Sequence, residues 1–418
     1  MSSTKLLMNR NLGLLLSGQL VSQIGDKFYM LALAIWVLET TESTAMMGGV
    51  LFCSFFPTFL VGFVAGAVVD KYNRKVIIVV ADVIRGLVIA VVTWLYCVNL
   101  LNIYVIFVSQ ILLSVGAAFF NAAIPSVIPQ IIDKSQLARA NSMTSFVRGF
   151  SAMIGPVLGG IVVAAFGFGT VFTLNALSFI ISAVFECFLA IPGHRNRQLA
   201  QGNIIDHTIA GFKYIFQFKQ LIIILCMVAV IHFFVGSIEV LMPVFSTQLT
   251  GTVSKNLGYI QTFFGLGTIL MALMISFYNI RGKEVRLLFG AIGAFGTVCL
   301  IMACLSAAGF NNVLTYLGLF LLLGAFIILA ATCFRTILQT NVVNEMAGRV
   351  FGAAGTIGDI SIPIAMLAYG MLLKHTSYSS LLAVSGVVLM LLSGIFYRLY
   401  RRFEVTEKGS LHAFPEIL

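Results

Sequence analysis

A chain of 418 residues that is 60% hydrophobic and only 10% charged, with mean hydropathy +1.03, is no ordinary water-soluble domain. Its net charge of +10 would suit nucleic acid, but the basic residues sit in alternate loops between apolar runs rather than along one polar face. That placement excludes a nucleic-acid footprint and points to a polytopic membrane protein.

A bilayer core needs about 20 apolar residues per spanning helix, and the chain supplies twelve such runs: 11–38, 44–69, 76–98, 102–127, 142–166, 169–191, 221–247, 257–280, 287–308, 312–334, 349–373 and 379–398. The first begins with a basic-then-apolar pattern, but it is too long for a signal peptide and reads as a span. With the N-terminus in the cytoplasm, Lys5, Arg10, Lys71, Arg74, Lys75, Lys134, Arg139, Arg281, Lys283, Arg398, Arg401 and Arg402 all face inward, while the outer loops carry only Lys255 and Lys374. This is the positive-inside pattern of an even number of spans, with both termini cytoplasmic. The seven cysteines lie within or at the ends of spans without ligand-like spacing. They read as small core residues, and no metal site is expected.

Residues 1–192 hold six spans. A linker at 193–219 combines Ile204, Ile205, Ile209, Phe212, Ile215 and Phe216 with Asp206, His207 and Lys213, the spacing of a helix lying on the membrane surface. Residues 220–400 hold six more spans, and 401–418 form a cytoplasmic tail. The halves repeat each other. Gln130–Arg139 precedes span five as Gln339–Arg349 precedes span eleven, Gly155-Pro156 of span five matches Ile362-Pro363 of span eleven, and the charged hinge after span two returns faintly at Asn279–Lys283. The expectation is an all-α membrane protein of two pseudo-symmetric six-helix bundles, with a substrate site near midplane between the repeats.

The hinge reads Gly66-Ala-Val-Val-Asp70-Lys71-Tyr72-Asn73-Arg74-Lys75. It resembles the signature loop of the major facilitator superfamily, with Gly66, Asp70, Lys71, Arg74 and Lys75 in register and Asn73 where glycine is usual. Asparagine tolerates positive φ, so the same turn is expected at Asn73. The resemblance implies that Asp70 and the basic cluster latch against the start of span eleven in one state. In span five, Ser151-Ala-Met-Ile-Gly155-Pro156-Val-Leu-Gly159-Gly160 resembles the family's antiporter motif, with serine at its first glycine; that implies export in exchange for an ion. Span four keeps Ser114-Val-Gly116-Ala117-Ala118 of another motif but has Gln110 where proton-driven exporters carry arginine, so no proton relay runs through that position. Gly25-Asp26, Ala81-Asp82-Val-Ile-Arg85 and Gly348-Arg349-Val-Phe351 are similar to strings of the drug:proton antiporter group that contains macrolide-efflux proteins and an enterobactin exporter.

Charged side chains inside a bilayer cost about 2.5–3.5 kcal/mol or more at its centre, so each requires a reason. Asp26 and Glu239 fall at matching places in spans one and seven and are proton-coupling candidates. Asp26 alternatively pairs with a basic residue on a neighbouring helix, for which adjacent Lys27, about 100° away around the helix, is a poor choice. Asp359 in span eleven serves the latch or the coupling. Asp82 and Arg85, one turn apart, are expected to pair with each other and with the hinge. Arg148, Glu186 and Arg335 lie close enough to the membrane edge to snorkel and read as structural, and His232 is a minor titratable candidate.

The chain shows no phosphate-binding loop and no nucleophile–base or ligand cluster, so neither an enzyme nor an ATP-driven pump is expected. The expectation is a monomeric exporter of small amphipathic, drug-like compounds in the inner membrane, working by alternating access. A proton gradient serves as energy source and no cofactor is needed. A same-fold transporter of a physiological solute such as a siderophore, lysophospholipid or sugar is the alternative.

Overall fold

The protein is described from a computed structural model that covers residues 9–133, 136–190, 213, 215–277, 282–342 and 344–407. Long α-helices account for nearly all of these residues. Span one is Arg10–Thr41, span two Thr44–Lys71, span three Arg74–Cys97 and span four Ile103–Ile131. Spans seven to twelve are Lys219–Thr247, Val253–Phe277, Glu284–Ala307, Val313–Asn341, Asn344–Leu372 and Tyr378–Glu407. Between the two sets lies one helical stretch of 51 residues, Leu137–Cys187. At a rise of ~1.5 Å per residue it would be more than twice as long as a bilayer core of ~30 Å. Gly167 breaks it, with φ 78° and ψ 176°, a conformation open essentially to glycine alone. Spans five and six are therefore residues 137–166 and 168–187, and the predicted twelve crossings stand.

Helix ends follow from the need to satisfy free backbone N–H groups where water is scarce. Asn9, Ser43, Asn102 and Asn312 cap spans one, two, four and ten with side-chain oxygens. Asn9 also donates from Nδ2 to the Ile131 carbonyl at 3.0 Å, tying the start of span one to the end of span four. Large apolar side chains stay outside: Trp94 is 61% exposed, Leu314 70% and Phe277 83%. Water would penalise such a surface, and a bilayer covers it.

The chain divides into two compact units, Met1–Gln201 with Glu239–Gly265 and Met366–Lys374, and Gly202–Ile238 with Leu266–Ala365 and His375–Leu418. In the first, Leu12, Leu15, Ile78, Val127 and Ile128 form the core at one end of the bundle. Span one lies so close to span six that a Cβ on Gly18 would come within 3.1 Å of Ser182 Oγ. At the other end, span two crosses span eleven backbone to backbone: a Cβ on Gly48 would lie 2.8 Å from Gly370 Cα, and Thr44 Oγ1 donates to the Gly370 carbonyl at 3.0 Å. The second unit is built on Ile215, Leu221, Leu225, Leu338 and Val350, with Gly296 and Gly386 in close contact between spans nine and twelve. Most of the expected linker helix, 193–212, and residues 408–418 of the tail lie outside the described residues, as do 279–281 of the hinge's echo.

Candidate functional site

Two neighbouring residues of span one, Asp26 and Lys27, lead to two different charged sites. The helix turns them about 100° apart, so Asp26 faces span three while Lys27 lies over span five. Arg85 Nη2 donates to Asp26 Oδ2 in an ion pair, and Arg85 Nη1 reaches Asp82 Oδ1 at 3.4 Å. The guanidinium also stacks 4.1 Å from the ring centre of Phe179 in span six. Its aliphatic stem occupies the groove left by Gly116, where a Cβ would come within 2.8 Å of Arg85 Cγ. The small residues of the span-four run thus make room for a buried arginine.

A third carboxyl completes the cluster. Glu186, on the last turn of span six, is fully buried; Ser182 Oγ donates to its Oε1 at 3.4 Å, and it lies where the charges of Asp82 and Arg85 act on it. The reading of Glu186 as a residue snorkelling at the membrane edge is overturned. Span six turns it inward on a polar stripe, Asn175, Ser178, Ser182 and Glu186, all of them buried. That spacing of three and four residues is the signal in the sequence that would have found it. Arg148 and Arg335, read in the same way, are exposed. Side-chain exposure grades the cluster: Asp82 0%, Arg85 8% and Asp26 37%, so Asp26 is its solvent-facing member. Asp82 Oδ2 and Glu186 Oε2 each lack a hydrogen-bond partner among the described residues.

Gln110 supplies hydrogen bonds rather than charge. Its Nε2 donates to Tyr29 Oη at 3.0 Å and its Oε1 accepts from Ser54 Oγ at 2.9 Å, joining spans one, two and four. A turn away, the Thr58 N–H beside Pro57 donates to Ser114 Oγ at 2.9 Å.

The span-five face is buried throughout, Gly155, Pro156, Gly159 and Gly160 alike. Gly155 receives the Cβ of Lys27, a Cβ on Gly159 would lie 2.8 Å from Phe28 Cα, and one on Gly160 would lie 2.6 Å from the Ser254 carbonyl of span eight. One small-residue stripe therefore lets span five touch both span one and span eight at backbone distance. Lys27 is exposed, and its charge acts on Glu239 of span seven. Asp26, by contrast, is ion-paired with Arg85.

At the hinge, Asn73 departs from expectation. It has φ −65°, not a positive value, and caps span three by accepting from the Lys75 N–H at 3.0 Å. Asparagine works here as a helix cap, where it ranks among the best residues. Arg74 Nη1 donates to the Ser126 carbonyl of span four at 2.9 Å, and Lys71 Nζ lies 5.7 Å from the Tyr72 ring centre. Gly66 and Lys75 are half-buried. The expected Asp70 latch against span eleven, and the side chain of Asp359, lie outside the described residues. Asp82 and Arg85 do pair, with Asp26 as their further partner. His232 Nδ1 bonds the Val228 carbonyl of its own helix at 2.8 Å, and its ring packs on Gly358 of span eleven.

Comparison with known proteins agrees with this architecture. The chain is 20% identical over 375 residues to macrolide efflux protein A of Streptococcus pyogenes, covering 90% of this chain and 92% of that one. It is 24% identical over 406 residues to the staphyloferrin A transporter of Staphylococcus aureus, covering 96% and 97%. The crystal structure of the nucleoside transporter NupG superposes with a TM-score of 0.73 at 12% identity, over 94% of this chain and 98% of that one. The sequence pattern of the Major Facilitator Superfamily matches residues 15–366, and the chain belongs to that family of membrane transporters.

Proposed function

We propose that the protein exports small amphipathic compounds across the cell's inner membrane in exchange for protons, with both termini in the cytoplasm. The observation that carries this reading is the seating of the span-five stripe. Gly155, Gly159 and Gly160 bring span five against spans one and eight at backbone distance, the close packing that the antiporter motif supplies in exporters. The efflux relative supports the direction. Asp26 and Glu239 supply carboxyls at bilayer depth, where an ionisable side chain signals function, and Asp359 is a third coupling candidate. Gly66, Asp70, Lys71, Arg74 and Lys75 form the loop that switches between states.

A second reading, transport of a physiological solute such as a siderophore, is favoured by the staphyloferrin A transporter, whose match extends over 96% of this chain. Inverted membrane vesicles decide between the two. Under the first reading, a macrolide or lipophilic cation accumulates only with a proton gradient, and Asp26→Asn or Glu239→Gln lowers that uptake about tenfold or more, by some 1.4 kcal/mol of coupling or above. Equal uptake with and without the gradient would overturn it. Gradient-driven uptake of a siderophore, with none of the macrolide, would select the second reading.

A further inference from the structure

We propose that Lys27, with Gln23 beside it, is a subsite that takes an acidic group on the cargo, so that carboxylates are among the amphipathic compounds carried. This deepens the export reading and rests on it. Lys27 stands near the middle of span one, Arg10–Thr41, where an ionised side chain is costly and faces the bundle interior or a water-filled cavity. Its aliphatic stem is seated on span five: a Cβ on Gly155 would lie 3.4 Å from Lys27 Cγ. Beyond that seat the side chain is exposed, and its charge reaches Glu239 of span seven. Lys27 therefore faces spans five and seven rather than lipid.

What Lys27 lacks is a counterion. Among the described residues it forms no ion pair and no hydrogen bond. Asp26, the adjacent carboxylate, is turned about 100° away and is held by Arg85. Asp82 is engaged by the same guanidinium, and Glu186 is fully buried beside Ser182. The Glu239 charge acts across a gap, without forming an ion pair. A seated, exposed ammonium of this kind is completed by an anion from outside the protein, in a charge-assisted hydrogen bond.

Two neutral side chains add to the assignment. Gln23 lies one turn from Lys27 on the same side of span one, a spacing that puts Cβ atoms about 6 Å apart. It is half-buried and makes no hydrogen bond among the described residues. Ser151 lies one turn before Gly155 on span five; it is fully buried, and its Oγ has no partner among the described residues. Spans one and five run side by side in the same direction, Gly155 meeting Lys27 and Gly159 meeting Phe28. Gln23 and Ser151 thus both fall one turn below the Lys27 seat. The Lys27 ammonium and the Gln23 amide are donors at a spacing that suits the two oxygens of one carboxylate. Polar groups left unpaired in an interior are costly, and an acidic ligand satisfies them.

Binding to the full chain in detergent at neutral pH tests the subsite with a matched pair of fluorescent probes: dansyl-leucine, which carries a carboxylate, and its methyl ester, which does not. The wild-type chain is expected to bind the acid about tenfold more tightly than the ester, as a hydrogen bond to a charged group allows. Lys27→Gln removes that preference, Lys27→Arg keeps it, and Gln23→Ala reduces it about threefold. No binding of the acid, equal affinity for the two probes, or an acid preference that survives Lys27→Gln overturns the proposal. Where Lys27→Gln fails to fold, Gln23→Ala decides: a diminished preference supports the subsite and an unchanged one overturns it. Uptake by inverted vesicles keeps the two claims apart. An acid preference that depends on Lys27, together with gradient-independent uptake, retains the subsite and rejects the proton-coupled exporter. Gradient-driven uptake of a lipophilic cation, with no acid preference in binding, does the reverse.

Discussion

Arg85 holds its surroundings together through four different contacts: Asp26, Asp82, the face of Phe179 and the groove above Gly116. Removing it leaves Asp82 and Glu186 buried without a cation. Arg85→Ala is therefore expected to cost roughly 3–5 kcal/mol, the range for breaking a buried pair, seen as a lower melting temperature in detergent. Arg85→Lys keeps the charge but loses the planar fork and the ring stacking, and its loss should be smaller. Asp26→Asn, at the solvent-facing end, is expected to lower the melting temperature least of the three while abolishing gradient-driven uptake. Part of this site is legible in the sequence: Asp82 and Arg85 are one turn apart on one helix, and Asp26 stands out in an apolar run. The polar stripe of span six marks the third carboxyl as inward-facing, but not what it faces, because Asp82 lies 104 positions away in the chain. Only the packing of span six against spans one and three brings Glu186 to Asp82.

At the level of helices, bilayer thickness makes the fold legible, because an apolar run of fixed length has few alternatives to crossing. Even the break at Gly167 falls in the predicted gap between the runs ending at 166 and starting at 169. What the sequence conveys poorly is which helix of a contacting pair contributes the small residue. In the first half Gly155 of span five admits Lys27 of span one. In the second half the matching position of span eleven is Ile362, and the glycine has moved across the interface to Gly236 of span seven, which meets the Ile362 backbone. The contact is kept while its donor of space changes, so a residue-by-residue repeat search sees only the proline. Gly159→Val and Gly160→Val insert branched side chains against the Phe28 and Ser254 backbones. Each is expected to cost about 1–3 kcal/mol and to depress export, whereas Gly149→Ala, which has open space around it, should leave both melting temperature and export unchanged.

For the whole molecule, the crossing of spans two and eleven at Gly48 and Gly370 is a contact between residues 322 positions apart, one that the proposed alternating access would open and remake. Gly48→Val and Gly370→Val force this crossing apart, since a Cβ at either position lies within 2.8 Å of the opposite Cα, and both are expected to depress export; undiminished vesicle uptake by both variants would show that the crossing is not needed. The residue that turns span five into span six has a mechanical consequence as well. Gly167 is the entire connector, with no slack on either side. Span five, which bears the stripe against span eight, and span six, which bears Glu186, therefore form a two-armed lever with a single-residue fulcrum. Under the proposed exchange, a tilt of span five that follows cargo is carried through Gly167 into span six. Lengthening the fulcrum with a few flexible residues would then let each arm move alone and uncouple the two ends of that exchange.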